Sequence, residues 1–281
     1  ILATGKAFNA TVSECRFNEN TRGGISNLIG DTTIQNCDFY DIGQSKIGFK
    51  NYANSTRYAI NFEDTTVTGL YVNNVRIKNV TQGILANVRV LRVTNCLIQN
   101  IQYGSIECYN SRDVKVNFNL IENAPYNCFG LSKTSVGVKR RNVEFAYNTI
   151  RNARLISDFS LISDALIDIS HNIFDKCKIM ATGDGNNLKF DKNIIIALGN
   201  YSDLSGVKNA LSCEGNIFKH TTKLSGDVGI SYFRFHGKLS NANYIDSIYS
   251  IEYRNDQNQE TVANGTRYAL LTTNDISLTL R

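Results

Sequence analysis

Three acidic side chains, Glu107, Asp158 and Asp184, fall at related places in a sequence that repeats itself, and they are the groups best suited to acid–base chemistry. Two carboxyl groups roughly 5–10 Å apart can act as acid and base, or as acid and nucleophile, in cleaving a glycosidic bond. Glu107 with Asp158 is the first candidate pair, and Asp184 extends the series. Tyr109 and Tyr126 offer rings against which a sugar can stack, while Lys133 and Arg154 offer cations. Elimination from a uronate would instead use a Lys, Arg, His or Tyr base, for which Lys133, Arg140, Arg154 and Tyr109 are available, and Ca²⁺ or another cation to neutralise the acid. Against these readings stands the ordinary role of outward Asp and Glu, which is to solvate a strand. His171, His220 and His236 are too dispersed for a triad or a metal cluster, so no metal site is expected, nor any cofactor, Ca²⁺ for a lyase excepted.

The elements that position these groups must be rich in turns. The chain of 281 residues holds 35 Asn but one Pro, Pro125, and no Trp. Asn competes with helical hydrogen bonds and favours turns, which argues against a helical bundle. No apolar run reaches the roughly 18 residues of a membrane span. A net charge of +5 without dense Lys/Arg patches gives no nucleic-acid footprint. The one basic cluster, Lys139-Arg140-Arg141, reads as a solvated loop. Seven Cys, an odd number with no C-x-x-C pair, fit free buried thiols better than disulfides, and suggest synthesis in a reducing cytoplasm. Ile1 with no apolar leader after it suggests an excised piece of a longer chain, and five N-x-S/T sequons follow from the abundance of Asn.

A motif of the form apolar-x-x-(Asn/Cys)-x-(Ile/Phe) runs through most of the chain. Its central column is Cys15, Cys37, Val75, Cys96, Asn119, Asn148, Asn172, Asn193 and Asn216. The spacings are 22, 38, 21, 23, 29, 24, 21 and 23, and the residue two places on is large and apolar in all nine copies. About 22 residues is too short for strand–helix–strand and suits three short strands with tight corners. Apolar pairs such as Val114 and Val116 alternate as one strand before the column, and the next strand begins after it. The column is placed at the bend, where Asn tolerates a left-handed backbone. With coils stacked about 4.8 Å apart, its amides can form a ladder. Asn79, Asn100, Asn123 and Asn152 predict a second ladder four residues later.

This pattern resembles the right-handed parallel β-helix of pectate-lyase-like enzymes and bacteriophage tailspikes. The resemblance implies an all-β solenoid of about nine to ten coils over 1–224, with 225–281 forming a final coil plus a β-rich C-terminal cap or the start of a following domain. It also implies a substrate groove along the strand preceding the first apolar pair, or on loops beside it. Alternation there points Asn61, Glu63, Asn87, Glu107 and Tyr109 outward, and Asp158 and Asp184 with them. The long intervals place insertions around Gly43–Arg57 and Ser132–Arg141, as two walls of one groove. Arg76-Ile77-Lys78 matches an R-I-K string of polygalacturonases but sits on the core repeat, without their paired-Asp and G-H-G strings, and is read as coincidence. The leading expectation is a virion tailspike that binds and cleaves a bacterial surface polysaccharide, with a homotrimer as the usual assembly. The alternatives are a secreted, extracellular monomeric lyase or hydrolase, and a non-catalytic receptor-binding shaft.

Overall fold

The computed structural model describes residues 9–20, 23–26, 30–43, 57–63, 68–131, 142–158, 165–182, 187–196, 202–204, 210–212, 215–219 and six strands between 232 and 280. Short strands wind into a parallel solenoid with three faces. Sheet B, the face before the Asn/Cys column, stacks eight strands from Asn9–Ser13 to Leu188–Asp191 in unbroken parallel order. Its pairings join residues one repeat apart, as in Val93↔Val116 and Val116↔Phe145. Sheet C follows the column and contains Arg76–Val80, Leu97–Ile101 and Leu120–Ala124. Sheet A closes each coil and contains Tyr58–Phe62, Gln82–Ala86, Ile106–Cys108 and Gly130–Leu131. Thr149–Asp158 runs from sheet C into sheet A without a break. Among the described residues sheet B stacks eight strands, against the nine to ten coils expected. The next coil adds to it only the bridge Lys189↔Ser212 among the described residues. Among those residues, no helix is long and apolar enough to cross a membrane.

Alternation produces the core. Val114, Val116, Ile121, Ile106 and Cys108 all lie inside, at most 1% exposed. Phe129 stacks on Phe145 with centroids 4.8 Å apart, filling the middle of the solenoid. The Asn ladder forms. Asn148 Nδ2 donates to Val116 O at 2.7 Å and to Asn172 Oδ1 at 3.1 Å, while Asn148 Oδ1 accepts from the Asn119 amide at 3.0 Å. Cys37 and Cys96 occupy the same column, and their thiols reach the equivalent carbonyls of Val12 and Val72. The second ladder forms too, Asn100 to Asn79 at 2.8 Å and Asn123 to Asn100 at 2.9 Å.

The corner differs from expectation in one respect. The left-handed backbone falls on the residue before the column, at Glu14, Asn36, Asn74, Asn95, Phe118, Tyr147, His171, Lys192 and Gly215. The column residue itself must face inward to satisfy buried carbonyls, so its neighbour takes the positive φ and projects outward. Phe118, Tyr147 and His171 accept this strained conformation in one continuous stack, with centroids 5.1 and 4.7 Å apart. Beyond Asp191, sheets A and C continue through parallel pairs such as Phe233↔Ile251 and Phe218↔Ile245. Antiparallel pairs then close the chain, Ser250–Arg254 with Glu260–Asn264 and Tyr268–Thr273 with Asp275–Leu280.

Candidate functional site on sheet A

The outer face of sheet A gathers most of the polar groups singled out from the sequence. Pairing aligns Asn61, Leu85, Glu107 and Gly130 in one row across successive coils. Ile106 and Cys108 anchor Glu107 from inside, so its carboxylate projects outward and remains half-buried. There Tyr58, from two coils below, donates its phenol to Glu107 Oε2 at 2.5 Å. The other oxygen lies over Gly104, where an added Cβ would come within 2.2 Å of Oε1. Glycine at 104 therefore makes the floor on which the carboxylate rests.

Exposed aromatic rings flank this carboxylate in sequence. Tyr103 and Tyr126, on corners one coil apart, are 42% and 58% exposed, and their centroids are 5.3 Å apart at a tilted angle. Tyr109, two residues past Glu107, is 41% exposed. Burial raises the Tyr109 phenol above its ordinary value, and the charges of Glu107 and Glu63 raise it further. Burial pushes Tyr58 up strongly, with the bond to Glu107 and nearby negative charge adding to it. Both phenols are therefore neutral hydrogen-bond donors at physiological pH and poor bases.

The carboxylates of the solenoid differ in their partners. On sheets B and C, Asp38, Asp113, Glu144 and Glu122 each pair with an Arg or Lys. Glu107 has no cationic partner among the described residues; its partner is a neutral phenol. Arg154 lies on the same outward face, half-buried, with a buried Nε that has no hydrogen-bond partner.

The second carboxylate is offset. Gly130 pairs with both Glu107 and Ile156, so the residue in register with Glu107 two coils on is Ile156. Asp158 stands two residues further along the strand and pairs with Thr182. Two coil steps of ~4.8 Å and two residues of ~3.3 Å put its Cα about 12 Å from that of Glu107. Glu63 has the mirror-image offset on the other side. Asp184, Lys133, Arg140 and both insertions lie outside the described residues. Asn61, expected to point outward, is only 5% exposed. Sequence reasoning did not pick out Tyr58 or Tyr103 as site residues. Tyr58 opens the strand Tyr58–Phe62, where nothing local marks it, and its partner lies 49 positions away. Tyr103 could have been found as the residue before a corner glycine, matching Tyr126 one repeat later. Among the described residues, no three His, Cys, Asp or Glu side chains converge as a metal site.

A family model described as a right-handed beta helix region matches residues 1–150. No curated protein and no solved structure matches the chain.

Proposed function

Starting from a chain that belongs to the right-handed β-helix family, we propose that it binds and cleaves a bacterial surface polysaccharide on the outer face of sheet A, as part of a virion tailspike. The observation that carries this reading is the Glu107 carboxylate, held by a phenol rather than a cation and flanked by exposed tyrosines. Several outward carboxylates elsewhere on this solenoid are instead paired with Arg or Lys, as Asp38 and Glu122 are. Elimination with Tyr58 or Tyr109 as base is disfavoured, because burial and neighbouring carboxylates raise both phenols, which leaves Arg154 as its base among the described residues. Glu107 acts as the base or nucleophile and Asp158 as the acid across the bound sugar; Tyr103, Tyr109 and Tyr126 stack on neighbouring units and Arg154 holds polar groups. Free buried thiols, which fit a protein made in a reducing compartment, support the virion setting. A homotrimer belongs to that setting, and sedimentation of the full chain tests it.

The experiment is incubation with a panel of bacterial capsular and wall polysaccharides, followed by mass spectrometry of the products. A reducing end with one added water is expected; an unsaturated uronate would replace hydrolysis by elimination. Glu107→Gln should lower cleavage by roughly 10²–10⁴-fold, and full activity in that variant would retire Glu107. One specific observation favours a second reading, a non-catalytic receptor-binding shaft. The offset between Glu107 and Asp158, about 12 Å at Cα, is longer than carboxyl pairs of glycosidases span unless both side chains lean inward. Binding without product from any glycan would decide for the shaft.

A further inference from the structure

A second groove lies on another face. It opens at the edge where each coil enters sheet B, with a volume of about 540 Å³, lined among others by Asp31, Thr68, Tyr71, Arg89, Arg112 and Asp113. Arg89 and Arg112 hold the same position in consecutive coils, each immediately before its sheet B strand, and the Arg112 amide donates to the Arg89 carbonyl at 3.0 Å. Their backbones are thus one coil step apart, about 4.8 Å, and both side chains line the same groove.

Two like charges at one groove are best balanced by a counter-charge. Nearby cations find one within the fold, Arg92 on Asp113 at 2.7 Å and Lys115 on Glu144 at 3.1 Å. Arg89 and Arg112 make no ion pair among the described residues, although two carboxylates line the same groove. One oxygen of each is bonded elsewhere: Asp113 Oδ2 accepts from Arg92, and Asp31 Oδ1 accepts from the Thr68 hydroxyl. The half-buried Tyr71 also lines the groove.

We propose that this groove is a separate binding site for an acidic glycan, whose carboxylate or phosphate oxygens are taken up by Arg89 and Arg112 while a neighbouring sugar lies against Tyr71. A planar guanidinium presents paired N–H donors that match either oxyanion, and two in adjacent coils can hold one anionic group between them. The site does not depend on whether Glu107 cleaves anything.

The test is calorimetric titration of the full chain with an alginate hexasaccharide and with neutral maltohexaose, and competition by inorganic phosphate. The alginate fragment should bind and maltohexaose should not; displacement by phosphate would assign the site to phosphate-bearing glycans as well. Arg89→Gln together with Arg112→Gln should weaken binding by about 10- to 100-fold, the loss expected for charge-assisted hydrogen bonds. Glu122→Gln, on sheet C and outside both sites, should leave it unchanged. Because Arg89 is exposed, Arg89→Gln alone provides a variant that leaves the core untouched, and it should show part of the loss. Equal affinity for the acidic and neutral fragments, no binding of alginate or phosphate, or unchanged affinity in the double variant would overturn the proposal.

Discussion

Tyr58 and Glu107 show how far one side chain reaches across the solenoid. The phenol is buried, its oxygen meets a carboxylate two coils away, and the carboxylate rests where glycine leaves room. Tyr58→Phe removes one donor and little volume. If Glu107 cleaves a glycan, this variant should lower kcat by about tenfold or more, the worth of a hydrogen bond to a charged group, while KM stays near that of the parent. A changed KM with unchanged kcat would make Tyr58 a purely structural support. Glu107 and Tyr109 were legible as outward groups because strand alternation is a local rule. Their partner was not, since nothing local in Tyr58-Ala-Ile-Asn-Phe marks the tyrosine as a site group.

At the scale of the strand and its corner, the column amides do work that no other polar side chain of that size performs. Each donates to a carbonyl of the coil below and accepts from an adjacent column amide. Asn148→Ala would leave a buried N–H and a buried C=O unpaired, costing about 2–4 kcal/mol in chemical denaturation. Asn148→Cys should cost less, because Cys37 and Cys96 already occupy the column and reach the same carbonyl position. Sheet C adds an electrostatic ladder in which Gln99 and Arg151 bond to Glu122 and hold its carboxyl below its ordinary value. That lowered value contributes stability above the unfolded carboxyl's range and loses it as pH falls. Glu122→Gln should therefore melt slightly below the parent at neutral pH, with the difference vanishing on acidification. A difference that persists in acid would mean that packing, not charge, is responsible. The corner itself was legible only in part: periodicity located it, but assigning the positive φ needed the knowledge that the column side chain turns inward.

Across the whole molecule, burial acts on several thiols together. Cys96 and Cys177 are each pushed up to about 12 by desolvation, and Cys128 well above the ordinary 9.0. Because the folded values are raised, their contribution is intact below the unfolded thiol's value and is lost as pH climbs through the folded one. The guanidinium midpoint should fall between about pH 9 and 11, and Cys96→Ala should flatten the fall; a level profile in the parent would contradict sealed thiols. The stacked architecture, the inward apolar pairs and both Asn ladders were already determined by the sequence, because a solenoid contacts mainly its neighbouring coil and so writes its packing as a period of about 22 residues. Residues that serve the period repeat, and repetition can be seen without coordinates. Only the tertiary structure decided which outward groups meet: Tyr58 under Glu107, Asp158 two residues out of register, Arg89 and Arg112 lining one groove without an ion pair among the described residues. Those meetings depend on side-chain reach and on register between coils, and the period leaves both open.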